Sequence, residues 1–124
     1  MNPPQRLQWE RLRMTKMNAL DGPRVAEDLE RNEPLWDAFL FGRFHPLELI
    51  ELRDLPEGFL NADTLYLLTT RQRSPELLRL AEGWDGEVSW HANSHPGFST
   101  REEFQRKWGA PLDEDQVVIQ VWWD

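Results

Sequence analysis

The most informative pattern along the chain is the nearly unbroken apolar run of residues 117–124, which contains two adjacent tryptophans. A strand of this composition is typical of the interior of a sheet, where both faces are covered. Because side chains alternate along a strand, Trp122 and Trp123 point to opposite faces, and we expect both to be buried. The pattern therefore predicts a carboxy-terminal strand that lies inside the sheet.

Helical spacing of apolar residues marks the amino-terminal part of the chain. Residues 4–20 predict a helix with a broad apolar stripe, as part of the core or as a peripheral segment. Asp21 and Gly22 are candidate caps for a second helix, with Pro23 in its first turn. A third helix, ended by Gly42, is predicted from the stripe formed by Leu35, Trp36, Phe39 and Leu40.

Beyond Pro46 the spacing changes to the two-residue alternation of strands. Strands are predicted over residues 47–52, 63–70 and 86–92, the last with Val88 and Trp90 directed inward. Helices are predicted to alternate with the later strands. Ser74 and Pro75 provide a cap and a first-turn proline for one helix. A capping box over residues 99–102 begins another, which runs to residue 109.

These elements predict a single α+β domain over residues 1–124. We expect amino-terminal helices followed by a mixed sheet of about four strands, with helices mainly on one face of the sheet. A chain of 124 residues is close to the common size of one domain.

Composition narrows the chemistry. The sequence contains no cysteine, which excludes disulfides, thiolate catalysis and cysteine-ligated metal centres. No apolar stretch reaches the roughly 18 residues that a membrane helix needs, and the first residues lack the apolar segment of a secretory signal. We therefore expect a cytoplasmic protein, with a bacterium as the default source and no membrane contact.

The net charge of −8 is unevenly distributed. Residues 1–20 carry four basic side chains and one acidic side chain, whereas residues 21–124 carry ten basic and twenty-one acidic ones. This acidic excess repels phosphate backbones, so nucleic-acid binding through the main part of the chain is not expected. It favours either simple solubility or electrostatic attraction to a protein partner with a basic surface. Asp113, Glu114 and Asp115 precede the last strand and are expected to be exposed.

The sequence contains none of the common catalytic motifs considered below, so it gives little support to an enzymatic function. The serines form no Gly-x-Ser-x-Gly elbow, and the scattered glycines form no phosphate-binding loop. His91 and His95 are four residues apart, but the intervening segment reads as a loop, which makes a poor metal site. We predict neither a catalytic residue nor a cofactor.

A candidate anion or ligand loop contains Arg71 and Arg73, which follow one predicted strand and precede a predicted helix. The alternative hypothesis to a binding module is therefore a small enzyme or ligand-binding domain that uses this loop with His91 and His95. Trp84 and Trp108 fall near element ends, and they are candidates for an interaction surface because tryptophan is enriched at interface anchors.

The carboxy-terminal half resembles a bacterial domain family whose members end in Trp-Trp-Asp, the sequence of residues 122–124. Further similar pieces lie at residues 63–65, 74–82 and 99–100. The family has a Cys-Pro-Asp segment where this chain has Asp85, Gly86 and Glu87. Because that family has no assigned activity, the resemblance implies a fold and a tail but no site residues.

The features taken together favour a non-catalytic, acidic protein-interaction module. Its most specific form is an inhibitor or immunity-type protein that covers a basic active site. Small size, the lack of a catalytic constellation and the acidic excess lead to this hypothesis.

Overall fold

The computed structural model describes residues 1–42, 62–91 and 113–123, with only the backbone of Trp90 and His91. Within these ranges the helices are α1 (Pro3–Arg13), α2 (Gly22–Arg31) and α3 (Ser74–Glu82), with a 3-10 turn at Glu33–Leu35. The strands are β1 (Lys16–Met17), β2 (Leu20–Asp21), β3 (Ala38–Phe41), β4 (Thr64–Thr70), β5 (Glu87–His91) and β6 (Gln116–Trp122). The predicted α+β class is confirmed.

The carboxy-terminal strand β6 lies inside a four-stranded sheet of order β3-β4-β6-β5. It pairs with β4 from Thr64 opposite Trp122 to Thr70 opposite Gln116, and with β5 on its other side. The prediction of an interior strand is confirmed. Trp123 is fully buried, but Trp122 is only half-buried, so the expectation that both tryptophans are buried was wrong for Trp122.

The ladders of this sheet are antiparallel in the described residues, whereas the sequence led us to expect a mixed sheet. The reason lies in the connection β4–α3–β5. Both strands are antiparallel to β6, so they run in the same direction, as expected of a strand–helix–strand unit. They are not neighbours, because β6 is inserted between them.

A strand replaces the predicted third helix. Only Glu33–Leu35 is helical, as a 3-10 turn, and β3 pairs with β4 from Ala38 opposite Leu68 to Phe41 opposite Leu65. Phe39 and Phe41 are buried, in the alternation of a strand. Pairing with a distant strand thus overrides the local helical spacing. Gly42 ends β3 with a φ of +124°.

Helix α1 ends at Arg13 instead of continuing to residue 20, and the hairpin of β1 and β2 follows it. The helix is not peripheral, because it covers the edge strand β3. The side-chain amide of Gln5 accepts from the Phe39 N–H at 3.0 Å and donates to the Phe39 carbonyl at 2.7 Å. Gln8 accepts from the Phe41 N–H at 2.9 Å. These bonds satisfy backbone groups that an edge strand otherwise exposes.

The predicted start of α2 is confirmed, since the Asp21 side chain accepts from the Arg24 N–H and Pro23 lies in the first turn. The predicted cap of α3 was wrong in detail. Arg73 occupies the cap position, while Ser74 lies in the helix and donates to the Arg71 carbonyl. The local bonds that serine offers competed with capping.

All three helices contribute to one apolar core against one face of the sheet. Its fully buried members include Leu12, Leu29, Leu65, Leu67, Leu77, Ile119, Val121 and Trp123. The predicted strand at 47–52 and helix at 99–109 lie outside the described residues. In the part of the chain that the structure describes, no helix has the length and apolarity needed to cross a membrane.

Candidate interaction surface

Carboxylates accept hydrogen bonds throughout one part of the molecule, whereas most carboxylates of another part have no partner among the described residues. The amino-terminal region, residues 1–42, has six basic and seven acidic side chains. Each of the seven carboxylates accepts at least one hydrogen bond. Four of them form ion pairs within the region, through Arg6–Glu30, Arg13–Glu10, Arg31–Glu27 and the amino group of Met1 with Glu33. Its charge is therefore largely compensated internally.

The carboxy-terminal region, residues 62–91 and 113–123, has three basic and eight acidic side chains. Asp63 accepts from Thr64 and from the indole of Trp122. The other seven carboxylates are exposed, and within the described residues they accept no side-chain bond and join no ion pair. These seven are Glu76, Glu82, Asp85, Glu87, Asp113, Glu114 and Asp115. This region presents its negative charge to solvent.

Residues 113–115, the acidic turn, hold three of these carboxylates on a fixed backbone. The Gln116 N–H donates to the Asp113 carbonyl at 3.0 Å, and the Asp113 N–H donates to the Gln116 side chain at 2.9 Å. The Arg71 N–H donates to the Asp115 carbonyl at 2.8 Å. Exposure of the three side chains agrees with the expectation from sequence. The turn is thus anchored to β6 and to the end of β4.

Arg73, in the predicted anion loop, already has protein acceptors. Its guanidinium donates to Asp37 at 2.6 Å, to the Pro34 carbonyl at 3.0 Å and to Thr70 at 3.1 Å. Arg71 is exposed and contacts the acidic turn through its backbone. Arg73 therefore ties the end of β4 to the 3-10 turn, whereas the side chain of Arg71 faces solvent.

His91 belongs to the strand predicted over residues 86–92, and the structure confirms a strand at this residue. His91 is the last residue of β5, and its backbone lies opposite Val118. Its side chain and the whole of His95 lie outside the described residues. In the ranges that are described, no group of three or more histidine, aspartate or glutamate side chains is placed to hold a metal ion.

Trp84 does not belong to an exposed surface, which corrects that prediction. Its side chain is 2% exposed, and its indole N–H donates to Asp28 at 2.9 Å. Its carbonyl accepts from the Trp123 indole at 2.7 Å. A turn position suggested exposure, but the acceptor on α2 lies 56 residues earlier and could not be inferred. Trp108 lies outside the described residues.

The sequence reasoning missed a groove at the opposite end of the sheet from the acidic turn. Asp85, Gly86, Glu87 and Trp122 line a cavity of about 400 Å³, named here the Trp122 groove. Glu87 and Trp122 are register partners on β5 and β6. Asp85 has a φ of +63°, a conformation that aspartate tolerates better than most residues. Asp85 and Glu87 are close in sequence, but Trp122 is brought next to Glu87 only by the register of β5 and β6.

Comparisons with models of protein families, with curated proteins and with solved structures found no match to this chain. The resemblance to the family that ends in Trp-Trp-Asp therefore supports no assignment of function.

Proposed function

We propose that this protein is a non-catalytic interaction module, acting in the cytoplasm, whose carboxy-terminal region binds a basic surface of a protein partner. The observation that supports this proposal is the contrast in carboxylate pairing. Seven exposed carboxylates of that region have no partner in the described residues, while every carboxylate of residues 1–42 accepts a hydrogen bond. Unpaired charges are free to interact with another molecule.

Such a surface acts first on the rate of encounter. Negatively charged carboxylates attract a basic partner over distances comparable with the Debye length, about 8 Å at physiological ionic strength. Complementary charge raises association rates and disfavours acidic partners. The acidic turn is suited to this role, because its backbone is anchored at Gln116 and Arg71 and costs little ordering on binding.

The most specific form of the proposal is an inhibitor or immunity-type protein. An acidic module of this size could cover a basic active site, such as one that binds phosphate groups. Occlusion requires a rigid scaffold and complementary charge, and it requires no catalytic group on the inhibitor.

The test is capture from cells that naturally contain the protein, with three baits compared by quantitative mass spectrometry. The baits are the wild type, an acidic-turn variant carrying Asp113→Lys, Glu114→Lys and Asp115→Lys, and a control variant carrying Glu10→Lys, Glu27→Lys and Glu30→Lys. Both variants change the net charge equally, but the control alters carboxylates that are already paired.

We expect the wild type and the control to retain one basic protein that the acidic-turn variant loses. If the captured protein is acidic, or if both variants lose it equally, the proposed surface is wrong. In the second case, overall charge explains the binding.

A further inference from the structure

We propose that the Trp122 groove receives an arginine side chain of the protein partner. This inference rests on the proposed function and names a contact within it. The features that carry it are an aromatic ring in a cavity and two carboxylates that line the same cavity and have no partner among the described residues.

The ring of Trp122 is held in place from two sides. Its backbone belongs to the central strand β6, and its indole N–H donates to Asp63 at 3.2 Å. The ring is half-buried and lines the cavity, so part of it is accessible. A guanidinium group within about 6 Å of an indole centroid is attracted by the negative face of the ring. A fixed ring presents this face without an ordering cost.

Two carboxylates, those of Asp85 and Glu87, belong to residues that line the same cavity as the ring. Glu87 is directly opposite Trp122 across β5 and β6, and such partners have Cβ atoms about 4.5–5.5 Å apart. Asp85 lines the same cavity. Arginine can stack its plane on a ring and donate from its edge at the same time, whereas a lysine ammonium is a point charge. The combination of ring and carboxylates therefore favours arginine.

The floor of the groove is closely packed. A Cβ atom added to Gly86 would lie 2.6 Å from Val121 Cγ1 and 2.9 Å from Trp123 Nε1. The backbone at Gly86, which lines the cavity, thus packs directly on buried side chains. A preformed site of this kind needs little rearrangement on binding.

The experiment is an NMR titration of the full-length, nitrogen-15-labelled protein with acetyl-Gly-Arg-Gly-amide. The matched control is the same peptide with citrulline, which keeps the shape of arginine but has no charge. The reporters are the Gly86 amide and the Trp122 indole N–H, identified as the signal that Trp122→Phe removes.

We expect weak, saturable shifts at both reporters with the arginine peptide and none with the citrulline peptide. Asp85→Asn with Glu87→Gln should lower the affinity roughly two- to tenfold, as expected for exposed charge pairs. Asparagine also tolerates the left-handed backbone at residue 85, so this variant should fold. Asp113→Asn with Glu114→Gln removes the same charge from the acidic turn and should leave the affinity unchanged.

Absence of saturable shifts at the reporters would overturn the inference, as would an equal response to both peptides or equal losses in the two double variants. The proposed function fails separately, through the captured partner. If the groove binds no arginine peptide while capture of a basic partner still depends on the acidic turn, only the inference about the groove is wrong.

Discussion

The amino-terminal and carboxy-terminal regions use polar side chains in different ways. In residues 1–42, arginines pair with glutamates, and two glutamines of α1 bond to the backbone of β3. In the carboxy-terminal region, strands β4, β6 and β5 are joined by backbone ladders and apolar packing, and most carboxylates face solvent. The comparison shows that polar contacts add to the apolar core in joining the helical layer to the sheet, whereas most carboxylates of the carboxy-terminal region are exposed and have no partner among the described residues.

One connection between the two regions is a chain of hydrogen bonds through Trp123, Trp84 and Asp28, in addition to the bonds of Arg73 to Asp37 and Pro34. The Trp123 indole donates to the Trp84 carbonyl, and the Trp84 indole donates to Asp28 on α2. This chain of bonds runs from the end of the central strand to the helical layer. Stability should therefore be most sensitive at this connection and least sensitive at the exposed carboxylates.

The largest effect is expected for Trp123→Ala. The side chain is fully buried, and truncating a core tryptophan costs about 3–5 kcal/mol. The matched control is Trp122→Ala, which removes a half-buried ring from the next position and should cost clearly less. Urea denaturation gives both free energies of unfolding. Equal losses would contradict the assignment of the two tryptophans to different environments.

A smaller effect is expected for Gly86→Ala. The added Cβ would overlap Val121 and Trp123, and overpacking of this kind costs about 1–3 kcal/mol. Gly83→Ala is the control, because its nearest neighbour would be the Leu80 carbonyl at 3.4 Å and its φ is −77°. Thermal unfolding should show a lower melting temperature for Gly86→Ala and no decrease for Gly83→Ala. A tolerated Gly86→Ala would mean that the groove floor is not closely packed.

The connection to α2 can be tested at Asp28. Asp28→Ala leaves the indole N–H of buried Trp84 without its acceptor, a loss of about 1–3 kcal/mol. Asp28→Asn retains an oxygen acceptor and should lose less. The difference between the two variants in urea denaturation measures this hydrogen bond. No difference would show that the bond does not contribute to joining the two regions.

The smallest effects on the free energy of unfolding are expected for single carboxylates. They should differ between a carboxylate in an ion pair and one without a partner among the described residues. Glu30→Gln breaks an ion pair between side chains that are each about half exposed, and should cost about 0.2–1 kcal/mol. Glu82→Gln removes an exposed carboxylate that has no partner in the described ranges, and should cost nothing or stabilise slightly. The same denaturation assay compares them. A larger loss of stability for Glu82→Gln than for Glu30→Gln would contradict the proposed contrast between the carboxylates of the two regions.

The sequence predicted those elements whose burial follows from their own pattern of apolar and polar residues. Strand β6 was predicted because apolar residues at successive positions require cover on both faces. Strand β3 was missed because Trp36, Phe39 and Leu40 also fit a helical stripe. Its pairing with β4 begins in a segment more than twenty residues later, and local spacing contains no information about that partner.

The candidate surface also contains features that the sequence predicted and features that it did not. Exposure of the acidic turn could be predicted, because three adjacent acids cannot all be buried. Trp84 was placed wrongly because its acceptor is distant in sequence. The Trp122 groove depends on the register of β5 against β6, which places Glu87 opposite the tryptophan. The exposure of the acidic turn follows from its own residues and was predicted, whereas the burial of Trp84 and the Trp122 groove depend on residues distant in sequence and were not.

The central claim is that the exposed carboxylates of the carboxy-terminal region attract a basic partner. The most direct test is the association rate of the purified, captured partner, measured by surface plasmon resonance over a series of salt concentrations. The samples are the wild type, the acidic-turn variant and the charge-matched control defined above. We predict that the wild-type rate falls steeply as salt rises, because screening shortens the range of attraction. The acidic-turn variant should associate slowly at low salt with a smaller change in dissociation rate, and the control should retain more of the wild-type rate. An association rate that is insensitive to salt, or equally reduced in both variants, would contradict the claim.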